Sequence, residues 1–210
     1  MLNKVFAKKI GMTSVFNSEG QRLGVTVLQA FPLKILQIKT KEHDGYNALV
    51  VGFNRCREKS IRAPQRGLLK KAGSDPVRCI AETTADDFSK YSVGQEVGLD
   101  AFTGVSKVDI SGTSKGRGFA GGIKRHHFHR GRETHGNKMH REGGSIGQHT
   151  DPSNVWKGKR MAGRMGGKPA TVRNVEIFSI DTEKNIIIIE GAVPGANSGV
   201  INITRAYGRK

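Results

Sequence analysis

Apolar and polar positions alternate over short stretches of this chain, and that two-residue period predicts strands with one face buried. Before residue 112 the stretches are Val25–Phe31, Leu33–Lys39, Tyr46–Phe53, Glu96–Phe102 and Val105–Ser111. After residue 170 they are Thr171–Ile180, Asn185–Glu190 and Gly199–Thr204. Val108-Asp109-Ile110 and Val175-Glu176-Ile177 show the alternation clearly. Asp181-Thr182-Glu183-Lys184 reads as the turn of a hairpin, and Gly191–Gly199 as a long turn. Ile186–Ile189 is apolar at every position, which predicts a central strand buried on both faces. Helix signals are sparse. Thr84-Ala85-Asp86-Asp87 predicts one short helix to Lys90, with Asp87 at the third helical position. The fold class is mainly β, a closed barrel or a sandwich, because a small sheet must protect its edges. A single closed β-barrel is the simpler arrangement, since strands lie on both sides of a strand-free middle.

That middle changes the picture. Residues 112–174 hold 14 Lys/Arg and 3 acids, a net charge of +11, out of +17 for all 210 residues. The same 63 residues contain 14 of the 28 glycines and 6 of the 7 histidines, but only 13 apolar residues. Such a segment cannot bury enough surface to offset the entropy of ordering its backbone. It is nevertheless not a Gly/Ser linker, since Phe119, Phe128 and Trp156 punctuate it. The expectation is a segment ordered against a polyanion. The chain divides into a β-barrel domain, residues 1–111 plus 175–210 with an insertion around 55–92, and a basic extension, residues 112–174.

Other classes are disfavoured. The longest aliphatic runs, Ala48–Val51 and Ile186–Ile189, are far too short to span a bilayer, and Met1–Met12 has no apolar core of a secretory signal. Cys56 and Cys79 form no CxxC pair and read as ordinary reduced thiols. No GxSxG or P-loop is present; Gly112-Thr113-Ser114-Lys115-Gly116-Arg117-Gly118 is basic and glycine-rich but wrongly spaced. No catalytic residue, cofactor or small-molecule substrate is expected.

His126, His127, His129, His135, His140 and His149 could ligate a metal in principle. Arg125, Arg130, Arg132 and Arg141 among them repel a cation, so no metal site is expected and contact with RNA is favoured. Lys115, Arg117, Lys124, Arg125, Arg130, Arg132, Lys138, Arg141, Lys157, Lys159, Arg160, Arg164 and Lys168 recur without helical or strand period. Arginine can bridge phosphate oxygens and stack on a base, while lysine acts as a point charge. His127, His135 and Trp156 are candidates for contact with unpaired bases, and His140 is a further rRNA-contacting candidate; for Trp156 base stacking is favoured over packing on its own segment.

Blocks along the chain carry a resemblance. Lys8-Lys9-Ile10-Gly11-Met12-Thr13, Asp44-Gly45-Tyr46, the run Val108–Gly121, and Thr134-His135-Gly136 come first. Gly144-Ser145-Ile146-Gly147-Gln148, Lys157-Gly158-Lys159-Arg160-Met161-Ala162-Gly163 and Gly191-Ala192-Val193-Pro194-Gly195 follow. In this order they resemble the large-subunit ribosomal protein three family, in its bacterial or organellar form. The resemblance implies a six-stranded barrel and a long loop reaching into large-subunit rRNA near the peptidyl transferase centre. It also implies contacts with the rRNA's 3′-terminal domain and neighbouring ribosomal proteins, a part in early subunit assembly, and a place in the cytoplasmic or organellar ribosome. It adds Ser145 and Gln148 to the rRNA-contacting candidates and makes Gln148 a possible site of methylation.

Overall fold

The computed structural model describes residues 2–206. Position 1 and positions 207–210, which the expected barrel domain includes, lie outside the described residues. In chain order the strands begin with β1 (Lys4–Phe16), β2 (Arg22–Ala30) and β3 (Leu33–Lys39). A one-turn helix α1 (Lys41–Asp44) and strand β4 (Ala48–Arg55) precede helix α2 (Ala63–Lys71). Next come β5 (Val77–Thr83), β6 (Glu96–Val97), β7 (Lys107–Thr113), β8 (Phe119–Ala120) and a short helix α3 (Gly122–His126). The chain then forms β9 (Gly163–Arg164), β10 (Pro169–Asp181), β11 (Ile186–Glu190) and β12 (Val200–Arg205).

The molecule is mainly β. Six strands pair antiparallel in the order β1–β12–β7–β10–β11–β2, and β2 pairs back on β1, so the ring is a closed barrel without a free edge. Leu28, Val108, Ile110, Ile187, Ile189, Ile201 and Ile203 are fully enclosed in its core. The hairpin turn at Asp181–Lys184 forms as expected, with the Lys184 amide donating to Asp181 Oδ1 at 3.0 Å.

β11 departs from expectation. Ile187 and Ile189 are buried, but Ile186 and Ile188 only partly. A single-layered barrel has one interior, so alternate residues of an all-apolar strand must face outward. The strand buried on both faces is β4, where Ala48 to Phe53 are all buried.

β4 lies in a second sheet, ordered β5–β4–β3–β6. Leu49, Val51 and Phe53 join the barrel core, where Phe53 stacks on Phe6 with ring centroids 4.3 Å apart. Leu36, Val50 and Val77 pack instead with Ile61, Leu69 and Ala72, from α2 and its flanks. Leu33–Lys39 and Tyr46–Phe53 are therefore strands of this sheet and not barrel staves.

The helix expected after Thr84 does not form. Thr84 O accepts the Asn3 amide at 3.0 Å, and Ala85 bridges Leu2. Asp87 Oδ1 takes the Ser89 amide at 3.1 Å, a local turn that competes with helix. The helix that does form, α2, carries Pro64 in its first turn and Gly73 at φ 58° beyond its end. These are the usual start and stop signals, weakened here by Gly67 in the interior.

The described residues separate into two compact units. One comprises the chain up to Thr113 and from Pro169 onward; the other is Ser114–Lys168. Residues 169–174, expected in the extension, lie in β10, with Pro169 opposite Thr113 and Val172 opposite Ile110.

Candidate nucleic-acid interface

Ser114–Lys168 is the segment with the charge and without the core. Its first and last residues are tied together: the Ser114 amide donates to Lys168 O at 2.9 Å and the Ser114 hydroxyl to the same oxygen at 3.0 Å. The Arg117 amide donates to Met165 O at 2.8 Å, and the Met165 amide to Gly118 O at 2.9 Å. Gly166 makes that approach possible. At φ +72° it occupies the left-handed region, and a Cβ there would collide with Lys115 O and come within 3.0 Å of Gly116 Cα.

Beyond this neck, regular structure nearly ends. The two-residue strands β8 and β9 pair, and α3 makes little more than one turn before His127 closes it at φ 60°. Among residues 114–168 only Ala120 is buried. Phe119 is 79% exposed and Trp156 65% exposed.

The structure gives some candidates internal partners. Arg125 Nη1 donates to Met161 O at 2.6 Å, and His126 Nε2 lies 3.0 Å from the same oxygen. Arg130 pairs with Glu133 at 3.1 Å. His140 Nδ1 is 3.0 Å from Arg132 O, while the Gly131 amide donates to His140 O at 3.1 Å, closing a small hairpin-like loop. Trp156 Nε1–H donates to Gln148 Oε1 at 3.1 Å, so two candidates eight residues apart are brought together. Ser145 Oγ donates to Gly147 O at 3.1 Å.

Lys115, Arg117, Lys124, Arg132, Lys138, Arg141, Lys157, Lys159, Arg160, Arg164 and Lys168 are exposed, as is His135, which sits at φ 60°. None of these lysines and arginines forms an ion pair among the described residues. Cations held this close together by one chain repel one another, and a polyanion relieves that repulsion.

The histidines do not converge: among the described residues no three His, Cys, Asp or Glu side chains are grouped to hold a metal ion. Cys56 and Cys79 are free thiols. No helix among the described residues is long and apolar enough to cross a membrane.

Outside the extension, two polar groupings escaped the sequence reading. Lys9 is only 6% exposed, and its ammonium donates to Val193 O at 3.1 Å and Gly195 O at 3.5 Å. Lys39, Tyr46 and Glu82 form a surface triad. Lys39 Nζ donates to Glu82 Oε1 at 2.7 Å and to Tyr46 Oη at 2.6 Å, and the Tyr46 hydroxyl donates to Glu82 Oε2 at 3.0 Å. The hydrogen bond from Lys39, then that from Tyr46, holds the Glu82 carboxyl below its ordinary range. Residues so far apart in sequence leave no spacing signal; only the apolar positions around Lys9 hint that it is enclosed.

Comparison with known proteins matches this architecture to one family. A family model described as "Ribosomal protein L3" matches residues 77–185. The "Large ribosomal subunit protein uL3" of Herpetosiphon aurantiacus is 45% identical over 207 residues, covering 98% of this chain and 97% of that protein. That of Brachyspira pilosicoli is 42% identical over 206 residues, covering 98% and 94%. That of Heliobacterium modesticaldum is 47% identical over 199 residues, covering 95% and 94%.

Proposed function

Because the chain belongs to the ribosomal protein L3 family, we propose that it is a structural constituent of the bacterial-type large ribosomal subunit, not an enzyme, and that Ser114–Lys168 binds large-subunit rRNA. One observation carries the RNA reading: in a 55-residue unit only Ala120 is buried, and 13 Lys/Arg stand against 3 acids. Such a unit gains its order from phosphates, not from a core. Arg117, Arg141, Arg160 and Arg164 supply exposed guanidinium forks for phosphate oxygens. Arg125 and Arg130 shape the segment as well, through Met161 O and Glu133. Exposed Trp156, Phe119 and His135 offer stacking faces to unpaired bases.

In this reading the barrel anchors the protein against the 3′-terminal rRNA domain and neighbouring proteins. The segment around Ser145, Gln148 and Trp156 approaches the peptidyl transferase region, where the chemistry belongs to RNA. Neutralising crowded phosphates early would let rRNA helices pack, which gives the protein a part in early assembly.

The test compares the whole protein's affinity for a 3′-domain rRNA fragment and for duplex DNA of equal length, at physiological salt. A tenfold or greater preference for the rRNA supports the reading. Parity would make the protein a nonspecific polyanion binder and overturn it.

A further inference from the structure

The extension does not account for all of the excess charge. Outside residues 112–174 the chain carries +6. One stretch has a net charge of that size: Arg55–Arg78 holds 8 Lys/Arg and 2 acids. The remaining 123 residues carry 13 Lys/Arg and 13 acids, a net charge of zero. The protein therefore has a second basic region, separated from the extension by residues 79–111, which hold 2 Lys/Arg and 6 acids.

This second region is folded. It consists of the end of β4, a loop, α2 and the start of β5, held by Ile61, Leu69, Ala72 and Val77 against the sheet. All eight of its cations are exposed. Arg55 pairs with Asp75 at 3.0 Å; among the described residues, Arg57, Lys59, Arg62, Lys70, Lys71 and Arg78 form no ion pair. Arg66 and Lys70 lie four residues apart on α2, about 6 Å along its axis, and Arg62 stands at its N-cap. Arg66 is pre-oriented: its Nε donates to Ile61 O at 3.1 Å, leaving both terminal nitrogens for a ligand.

We propose that Arg55–Arg78 is a second, pre-folded rRNA-contact surface, which grips the phosphate backbone of helical rRNA and reads no bases. The stretch contains no aromatic residue, so it has no stacking platform for an unpaired base. It exposes no large apolar side chain. Protein–protein interfaces are centred on apolar and aromatic anchors and depleted of lysine, so an acidic protein is the poorer fit. Phosphate contacts need only exposed cations on a rigid frame, which is what α2 provides. The inference rests on the proposed rRNA role of the protein but not on its extension, and the two can fail separately.

The experiment measures the dependence of log Kd on log salt for the full-length protein and a 3′-domain large-subunit rRNA fragment. Three variants are compared with wild type. The first is R62Q/K70Q/K71Q, on α2 and at its N-cap. The second is R57Q/K59Q in the preceding loop, at and beside the single 3-10 turn Glu58–Ser60 and outside α2. The third is K157Q/K159Q/R160Q in the extension. Unchanged circular dichroism and melting midpoint verify folding; the substituted side chains are exposed and glutamine is a good helix former. Each lost phosphate contact lowers the slope by roughly 0.7–0.9. The expected loss is therefore about 2–3 for the α2 variant and about 1–2 for the loop variant.

Unchanged slopes in both, with the extension variant reduced, would overturn the second surface and leave the extension's role intact. In that case, release of the α2 variant from large subunits in a salt wash would assign the surface to an acidic protein neighbour, also against the inference. Reduced slopes for the α2 and loop variants with an unchanged extension variant would support the second surface and overturn the reading of the extension. Unchanged slopes in all three would overturn both.

Discussion

Replacing Lys9 by methionine removes a charge from a place where no surface protein–RNA argument applies. The side chain is 6% exposed, and its ammonium donates to Val193 O at 3.1 Å and Gly195 O at 3.5 Å. The shorter contact is a charge-assisted hydrogen bond, of a kind that contributes about 1.5–3 kcal/mol; the longer one sits at the limit of the geometry and adds little. Methionine nearly matches lysine in length, so no large cavity opens. It leaves Val193 O without this donor, while sparing the cost of desolvating an ammonium. The balance is a loss of roughly 1–3 kcal/mol. For a chain of this size each kcal/mol lowers the midpoint by about 2–4 °C, so the Met variant should melt about 2–12 °C below wild type. Denaturant unfolding should show a lower midpoint at unchanged m-value, and amide exchange should accelerate across Gly191–Gly199. The turn also backs β7: a Cβ on Gly112 would come within 3.1 Å of Pro194 O, and one on Gly195 within 2.9 Å of Thr113 O. A Met variant within about 0.5 kcal/mol of wild type would refute the reasoning, because the turn would then not depend on the ammonium.

Trp156→Ala should leave the melting midpoint within about 0.5 kcal/mol of wild type, since the indole is largely exposed, yet weaken binding to the rRNA fragment by about 1–3 kcal/mol; equal affinity in a filter-binding titration would remove Trp156 from the interface. Gly166→Ala places a Cβ against Lys115 O at a left-handed position, so limited proteolysis should open the Ser114–Lys168 neck faster while the barrel melts unchanged; an unaltered cleavage rate would contradict the tight-neck reading. Glu82→Gln should flatten the acid limb of stability. The folded carboxyl lies below its ordinary value, so its contribution is present above about pH 4.3 and lost as pH falls through the folded value; identical urea midpoints of wild type and variant from neutral to acid pH would refute it. In free protein, proteases should cut first within residues 120–165, and the same sites should be protected in large subunits; protection in the free protein would mean that the segment orders by itself.

Much of the fold is legible because the barrel obeys a local rule. Val108-Asp109-Ile110 alternates, and the structure buries Val108 and Ile110 fully and Asp109 only partly. Where the pattern misleads, a tertiary fact intervenes. Ile186–Ile189 looks doubly buried, but whether a strand has one covered face or two depends on what lies outside it, and α2 backs the sheet of β4, not β11. The Thr84 cap is a good local signal that loses to pairing with residues 2 and 3, more than 80 positions away. In the extension the composition shows the charge and the absence of a core, but not that Trp156 meets Gln148 or that Arg130 is occupied by Glu133. With no core to impose a period, those pairings follow from turns whose geometry composition does not encode.

The blocks that carry the family resemblance divide into two physical kinds. Those in the barrel unit explain one another: Lys9 holds the Gly191–Gly195 turn, that turn packs on Gly112 and Thr113, and Tyr46 bridges Lys39 and Glu82. Their residue types are what this fold requires. The blocks in the extension have far less to do for the protein itself. Gly144–Gln148 and Lys157–Arg160 are exposed throughout, and burial constrains none of them. A glycine-rich basic segment free to vary would tolerate many sequences, yet these blocks carry the family resemblance alongside the barrel blocks. A constraint absent from the folded chain must come from its partner. Under the proposed rRNA role that partner is RNA, against which the extension takes its shape, while the barrel is self-sufficient in its own packing.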